Sequence, residues 1–225
     1  YVMQLYSIII PIYNESRTLE TLLNGLLEYS TLGHEVLIVN DGSTDNSKEI
    51  LKRYSFIKYV ELKSNYGKGI ALRIGLLQSK FNKVIIYDGD LELETEDIPK
   101  LMTLNKKDEI HSIMGIRFTT LNPIKSSFDW GNFIFTTFFN ILNITCHKDI
   151  LCCAKSFYKS DIPLNKLQSN GFDIDVELST ILTKNSKRKS IKQVLFKYQR
   201  RNIEQGKKLK ISDGWKILKR ILLTI

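Results

Sequence analysis

Strand-like and helix-like segments alternate along the first hundred residues of this 225-residue chain, and this alternation limits the fold more than any other feature. Short β-branched runs lead into stretches with leucines at helical spacing, as in Leu19, Leu22, Leu23, Leu26 and Leu27. The pattern predicts strands at 7–12, 35–40, 57–62 and 83–87 and further helices at 45–54 and 69–79. Because strands that are apolar throughout need cover on both sides, we expect an α/β fold: a Rossmann-like, mostly parallel sheet with helices on both faces.

Acidic residues follow three of the predicted strands at the points where those strands end. The first strand leads into Tyr13 and Glu15, the second into Asp41, and the fourth into Asp88 and Asp90. Ligands of parallel α/β sheets bind at the carboxyl ends of the strands, so we expect these side chains on one rim. The aspartates of Asp88-Gly89-Asp90 offer hard oxygen ligands, which suit Mg²⁺ or Mn²⁺. The alternative is a solvated turn, since Asp-x-Asp is common in loops.

A glycine-rich loop with one lysine opens the helix predicted at 69–79. It reads Gly67-Lys68-Gly69, and Arg73 follows one turn later. Glycine lets backbone amides approach a phosphate closely, and the start of a helix favours anions. The chain contains neither the Walker loop nor the G-x-G-x-x-G dinucleotide fingerprint. Three acidic loops and this basic loop on one rim predict a nucleoside diphosphate held by a metal ion and a lysine.

An aromatic-rich stretch at 128–145 stands out in the second half of the chain, where a further strand is predicted at 113–118. The stretch has no charge after Asp129, but it is too short and too rich in Asn and Thr for a membrane-spanning helix. We expect an amphipathic helix that lies in a membrane interface or packs on a partner, either a second copy of the chain or a membrane protein. A core helix of the same domain is the alternative.

The net charge of +9 is concentrated near the end of the chain. Residues 184–220 carry 14 of the 33 basic residues and 2 of the 24 acidic ones, a local charge of +12 against −3 for the remainder. Such a segment favours anionic lipid headgroups or a phosphorylated ligand. Around Trp215, the side chains of Lys216, Lys219 and Arg220 are expected to extend toward headgroups. No nucleic-acid-reading motif is present, so no nucleic-acid partner is predicted.

Cysteine usage and the absence of sorting signals indicate a compartment. The three cysteines fit neither a disulfide framework nor a Cys-x-x-Cys metal site, and we interpret them as reduced. The sequence contains no run of about 18 uninterrupted apolar residues and no signal peptide ahead of Tyr6. We therefore expect a cytoplasmic protein that binds peripherally to the cytoplasmic face of a membrane.

With these residues in place, the chain resembles family 2 glycosyltransferases, and within that family the dolichyl- and polyprenyl-phosphate sugar transferases related to dolichol-phosphate mannose synthase. The resemblance extends from about residue 7 to residue 222. Seven short elements carry it in the family's order, at 10–15, 39–45, 66–69, 88–92, 97–101, 171–177, and at Arg201 with 205–208. It implies a GT-A-type fold and an enzyme that transfers a sugar, with inversion, from a UDP- or GDP-sugar to a lipid phosphate with Mg²⁺ or Mn²⁺.

The resemblance also implies roles for individual residues. The residues that would line the pocket for the base and ribose are Pro11, Tyr13, Glu15 and Asp41. The residues that would meet the diphosphate, the sugar phosphate or the metal are Lys68, Arg73, Asp88 and Asp90, with Glu92 as a third metal ligand. The residues that would meet the acceptor phosphate or the departing diphosphate are Arg201 and Lys155. Lys207 and Lys208 match the family's basic Gly-Lys-Lys element.

The same resemblance implies one glycosyltransferase domain over residues 1–225. Its nucleotide-sugar-binding half would be 1–110 and its acceptor-side half 111–200, which includes the amphipathic helix at 128–145. Residues 201–225 would form a basic, membrane-proximal tail.

One segment, 149–155, departs from the family pattern at Leu151, Cys152 and Ala154. This departure keeps a second acceptor open, a hydroxyl group in the synthesis of a surface polysaccharide or glycolipid. A lipid phosphate is already anionic and needs no general base, whereas a hydroxyl group needs a carboxylate. The candidates for such a base are Asp149, Asp173, Asp175 and Glu177. A third interpretation is a protein that binds nucleotide sugars without catalysis.

Overall fold

The computed structural model describes residues 4–118, 127–185, 190–201, 208 and 211–223. The strands in these ranges are β1 (Tyr6–Ile12), β2 (Glu35–Asn40), β3 (Lys58–Glu61), β4 (Lys83–Ile86), β5 (Ser112–Ile116), β6 (Lys155–Tyr158) and β7 (Ile191–Leu195). They form one sheet in the order β3-β2-β1-β4-β6-β5-β7. Neighbouring strands are parallel except around β6, which runs antiparallel to β4 and β5. The predicted mostly parallel sheet is confirmed.

Helices cover both faces of this sheet, as the apolar strands require. They are α1 (Leu19–Thr31), α2 (Ser47–Leu51), α3 (Lys68–Gln78), α4 (Ser127–Asn143), α5 (Ile174–Asn185) and α6 (Ile211–Leu222). Alternate residues of β1 point to opposite faces: Ile8 packs in a cluster with Leu22 of α1, whereas Ile9 packs with Leu72 of α3 and Leu178 of α5. The polar ends of the strands therefore lie between two apolar layers, and the sheet holds them in fixed positions.

Two local predictions for the first half need correction. The helix expected at 45–54 spans only Ser47–Leu51. The Asp45 side chain accepts the amides of Ser16 and Ser47 at 2.9 and 3.0 Å, so Asp45 lies just before the helix and not inside it. Leu27, expected on the buried stripe of α1, is 46% exposed. The buried stripe of α1 is therefore narrower than its leucine pattern suggests.

The aromatic-rich stretch of the second half forms α4, which packs against α6. Phe139 of α4 and Ile217 and Ile221 of α6 are buried in a third apolar cluster. The opposite side of α4 remains exposed, with Trp130 and Ile141 among its exposed residues. Thus α4 has both the core-facing side of one interpretation and the exposed apolar side of the other. In the described ranges, no helix is both long and apolar enough to cross a bilayer.

His147 lies at the edge of this third cluster and is buried. Its Nε2 lies 2.9 Å from the hydroxyl of Thr183, and its ring centroid lies 5.9 Å from that of Phe139. Burial, together with the positive charge of Lys155, lowers the pKa of His147 to about 4. The folded protein therefore keeps this histidine neutral at pH values at which an unfolded chain protonates it.

We expect this histidine to make the fold sensitive to mild acid. From pH 6.5 down to about 4, the unfolded state binds a proton that the folded state does not, so the free energy of unfolding falls, by up to about 3 kcal/mol. His147→Phe keeps the ring packing and removes the titration. Melting curves at pH 7 and pH 4.5 should show a smaller loss of Tm in the variant than in wild type. An equal loss in both proteins would contradict this.

Candidate functional site

The polar residues that follow β1, β2 and β4 meet at one edge of the sheet, as predicted. Lys68 joins Asp88 after β4 to α5, and Arg201 joins Glu15 after β1 to Asp90. Ion pairs between distant parts of the chain therefore connect the strand ends. The edge carries both the acidic groups and the cations that the sequence suggested for a diphosphate site.

Asp41 holds the glycine-rich loop in place. Its two carboxylate oxygens accept the amides of Tyr66 and Gly67, both at 2.8 Å. Gly67 has a φ of +100°, and a Cβ there would overlap the carbonyl oxygen of Asn170. The loop is thus fixed by Asp41 on one side and by the backbone at Asn170 on the other. The predicted contact of Asp41 with base or ribose stays a prediction.

Lys68 lies between two carboxylates. Its Nζ is 2.8 Å from Asp88 and 2.9 Å from Asp175, and its side chain is only 10% exposed. Burial alone lowers the pKa of Lys68, but Asp175 and Asp88 together raise it well above its usual range. Burial likewise raises the pKa of Asp88, and Lys68 outweighs this and lowers it. Both groups are therefore charged at neutral pH, and in the described structure Lys68 neutralises Asp88.

Asp90 is the carboxylate of the site whose surroundings most disfavour its charged form. Burial, and then the charges of Asp88 and Glu92, raise the pKa of Asp90 to about 7, with Arg201 acting in the opposite direction. Arg201 Nη2 lies 3.3 Å from Asp90, and the amide of Glu92 donates to it at 3.0 Å. A partly buried carboxylate next to two others is stabilised by any further cation that approaches it.

Glu15 binds cations instead of lining an open pocket. It is buried, it lies 2.8 Å from Arg201, and it also pairs with Lys208. Lys208 further donates to the carbonyl oxygen of Tyr13 and lies 5.7 Å from its ring. The predicted contact of Glu15 with base or ribose stays a prediction. Lys207, predicted beside Lys208, lies outside the described residues.

Two side chains that were predicted to contact ligands have protein partners in this structure. Arg73 donates to the carbonyl oxygen of Leu167 and to the side chain of Asn170, both at 2.8 Å, so here it holds the 167–170 segment, and its contact with a diphosphate stays a prediction. Lys155 is fully buried, and its Nζ contacts the carbonyl oxygens of Ile150 and Cys152. Its strand, β6, lies between β4 and β5, and its predicted contact with an acceptor phosphate stays a prediction.

The remaining predicted residues occupy the rim without forming a complete metal site. Pro11 lies in β1 opposite Val39 and is partly exposed. Glu92 accepts the amide of Arg201 at 3.0 Å. Among the residues that the structure describes, no three His, Cys, Asp or Glu side chains converge as metal ligands. The donor chemistry of Asp90 fits a divalent cation, but the expected set of three carboxylates is not assembled.

An open pocket lies beside Asp90, and the sequence did not predict it. Its volume is about 280 Å³. Its lining includes the guanidinium-bearing residues Arg17, Arg200 and Arg201 together with Thr18 and Asp90. Arg17 and Arg200 are separated by most of the chain, so their proximity was not visible in any local pattern. Only the adjacent pair 200–201 in the basic segment pointed to this pocket.

The sequence analysis also did not predict a buried ion pair outside this pocket. Arg117, which follows β5, binds Asp149 through two guanidinium nitrogens, each at 2.8 Å, and Asn132 of α4 donates to the same carboxylate at 3.1 Å. Burial alone raises the pKa of Asp149, but Arg117 outweighs it and lowers the pKa. The pair connects α4 to the sheet. The acidic residue in the 149–155 segment was the visible signal, and its basic partner was not.

Comparison with known proteins identifies the family to which this chain is similar. The model of the family described as glycosyl transferase family 2 matches residues 7–162. An undecaprenyl-phosphate 4-deoxy-4-formamido-L-arabinose transferase of Yersinia enterocolitica is 34% identical over 117 residues, which are 48% of this chain and 35% of that protein. An uncharacterized glycosyltransferase of Synechocystis sp. is 42% identical over 103 residues, or 43% of this chain and 32% of that protein. The matched region spans about a third of the length of these curated relatives.

The solved structures agree on the fold. Glucosyl-3-phosphoglycerate synthase from Mycobacterium tuberculosis, in complex with Mn²⁺, UDP-glucose and glycerol 3-phosphate, superimposes with a TM-score of 0.75. The alignment covers 98% of this chain and 80% of that one at 16% sequence identity. This similarity confirms the predicted GT-A-type fold.

Proposed function

This chain belongs to glycosyl transferase family 2, and from that premise we propose that it transfers a sugar, with inversion, from a UDP- or GDP-sugar to a polyprenyl phosphate. The reaction would take place at the cytoplasmic face of a membrane and use Mg²⁺ or Mn²⁺. The observation that carries the proposal is the placement of Asp88 and Asp90 at the end of β4, with Lys68 paired to the first and Arg201 to the second. Relatives whose names specify an undecaprenyl-phosphate substrate support the acceptor.

On the donor side, the cations of the rim would exchange protein carboxylates for phosphate oxygens. Lys68 and Arg201 each hold a carboxylate, so an arriving diphosphate can take over these contacts without leaving either cation unpaired. The glycine-rich loop held by Asp41 places Lys68 at the first residue of α3, the end of a helix that favours anions. A divalent cation held by Asp90, and by Asp88 once Lys68 has turned away, would stabilise the charge on the departing diphosphate.

On the acceptor side, the arginine-lined pocket fits a phosphate group. Arg17 and Arg200 line it beside Asp90, and a guanidinium group binds phosphate with two parallel hydrogen bonds. A phosphate oxygen is already anionic, so the residues need only orient it toward the sugar carbon. No proton has to be removed.

The hydroxyl-acceptor alternative receives less support, because its candidate bases are paired with cations. Asp175 binds Lys68 and Asp149 binds Arg117. Asp173 and Glu177 both lie near Arg220, at 3.4 and 3.6 Å. A carboxylate oxygen that contacts a cation is less accessible to the proton of an acceptor hydroxyl group. The same contacts correct the expected position of Arg220, which points into the fold and not toward headgroups.

A screen of donors and acceptors tests the proposal. UDP- and GDP-sugars are offered with Mn²⁺ or Mg²⁺, with and without polyprenyl phosphate, while nucleotide release and lipid-linked sugar are measured. We expect transfer that depends on the lipid phosphate and on the cation. Transfer to a hydroxyl acceptor alone would support the alternative. A lack of turnover with every donor would leave a binding protein as the remaining interpretation.

Exposed apolar side chains on α4 and α6 support the membrane part of the proposal. Trp215 is 74% exposed, and other apolar side chains of α4 and of the end of α6 are exposed as well, namely Trp130, Ile134, Ile141, Leu222 and Leu223. Lys216 and Lys219 are exposed on the same helix. Apolar side chains with lysines beside them fit an interface of anionic lipid. A second copy of the chain, or a membrane protein, remains the alternative partner.

We expect Trp215→Ser combined with Leu222→Ser to weaken binding to anionic liposomes by at least about tenfold, since each removes apolar area from the lipid. Co-sedimentation measures the effect, and added salt should weaken wild-type binding further. Leu32→Ser with Leu77→Ser is a matched control, because both leucines are exposed on other helices or their ends. Unchanged binding of the first variant would contradict the membrane proposal. A change in sedimentation without liposomes would indicate a second copy.

A further inference from the structure

Four charges of alternating sign lie in a row beneath the rim, the first two partly buried and the last two buried. Asp88 is 2.8 Å from Lys68, Lys68 is 2.9 Å from Asp175, and Asp175 is 4.0 Å from Lys155. The row leads from the strand end into the interior of the sheet, and its four charges sum to zero. Only the first two groups have a place in the proposed reaction, so Asp175 and Lys155 need an explanation of their own.

Lys155 is the unusual member of the row. A lysine with no exposed surface is costly unless an anion compensates its charge. Its Nζ contacts two backbone carbonyl oxygens, of Ile150 and Cys152, which fix its position but carry no full charge. The carboxylate that it faces is Asp175. Lys155 therefore reaches the site mainly through Asp175, the carboxylate nearest to it, and its charge also acts on Asp88.

Asp175 has one oxygen for each lysine. Oδ2 accepts a hydrogen bond from Lys68 at 2.9 Å, while Oδ1 faces Lys155 at 4.0 Å. Oδ1 is buried and has no hydrogen-bond partner among the described residues. Its compensation is therefore the electrostatic attraction of Lys155. Without that charge, Asp175 would depend on Lys68 alone and would hold it more tightly.

We propose that Lys155 is a positioning residue that neutralises Asp175 and so leaves the charge of Lys68 available to a nucleoside diphosphate. This inference rests on the proposed function, since it concerns the donor site of the same enzyme. It replaces the predicted acceptor contact of Lys155 with an indirect role in donor binding. Loss of Lys155 would give the row a net charge of −1, directly beneath the place where an anionic ligand binds. Loss of Asp175 would give it +1.

The opposite signs of these two changes provide the test. Lys155→Met should raise the Kd for UDP or GDP about tenfold in calorimetric titrations with Mn²⁺, because the diphosphate meets an uncompensated carboxylate. Asp175→Asn should leave the Kd unchanged or lower it. The double variant, again neutral, should return to the wild-type Kd. Lys159→Met is the matched control, since Lys159 binds Ser79 at the other end of β6 and has no part in the row.

A purely structural lysine would give a different pattern. Lys155→Met and Asp175→Asn would then both weaken nucleotide binding, or neither would, and the double variant would not recover. Either result would overturn the inference. Melting temperatures of the same proteins test the pairing independently. Each single variant leaves one buried charge uncompensated, so the Tm loss of the double variant should be smaller than the Tm losses of the two single variants added together. If wild type binds neither UDP nor GDP, the proposed function is wrong, while the Tm comparison still decides whether the two residues are coupled.

Discussion

Asp90→Asn is expected to lower sugar transfer by about 10³-fold while leaving the protein folded, the size of effect seen when a group that stabilises charge in a transition state is removed. Asn has nearly the same shape but cannot offer a charged ligand to a cation. The neighbouring Asp88, which Lys68 contacts at 2.8 Å in this structure, would then be left to hold the cation without a second aspartate. Binding of Mn²⁺, measured by titration calorimetry, should weaken in parallel with the loss of rate.

The stability of the same variant separates a defect in catalysis from a defect in folding. The raised pKa of Asp90, about 7, means that the folded state disfavours the charged carboxylate. At pH 8 the neutral side chain should therefore keep the Tm of wild type or raise it. Glu94→Gln, four residues further along the chain, removes a charge paired with exposed Lys197 and should change neither rate nor Mn²⁺ binding. Wild-type turnover in Asp90→Asn would remove Asp90 from the mechanism.

The features that the sequence predicted well depend on local periodicity. Apolar runs and leucine spacing identify β1 to β4 and the helices between them, because each pattern is contained within a few residues. The rim follows from one further rule, that parallel strands end at the same edge of the sheet. The rule brings Asp41, Asp88 and Asp90 to one place without any knowledge of their contacts.

The features that the sequence did not predict depend on pairing between distant segments. Arg201 and Glu15 are 186 positions apart, and nothing near either residue indicates the other. No local pattern reveals that β6 runs antiparallel between β4 and β5, where Lys155 is buried. The sequence alone therefore allowed Lys155 to be interpreted as a ligand contact. Arg220 has the spacing of a headgroup contact, yet it faces Asp173. An amphipathic pattern separates apolar from polar sides, but it does not say which polar group meets protein.

Gly67→Ala is expected to weaken binding of the nucleoside diphosphate by about 10²-fold and to lower the free energy of unfolding by about 3 kcal/mol. Its φ of +100° and ψ of 154° lie in a region that is essentially restricted to glycine, and side chains forced there cost about 1–3 kcal/mol. The new Cβ would also overlap the carbonyl oxygen of Asn170, a backbone atom that cannot turn away. The loop must therefore move, together with the neighbouring ammonium of Lys68.

This displacement would break two contacts that hold the loop. The amide of Gly67 donates to Asp41 at 2.8 Å, and the amide of Gly69 donates to Asn170 at 2.8 Å. Gly171→Ala is a matched control at the same junction, since its Cβ would lie an ordinary 3.5 Å from Asp173. Nucleotide titration and thermal melts of the two variants should therefore differ sharply. Near-wild-type binding by Gly67→Ala would mean that diphosphate binding does not depend on this loop. It would also contradict the role of Lys68 as the cation that binds the diphosphate.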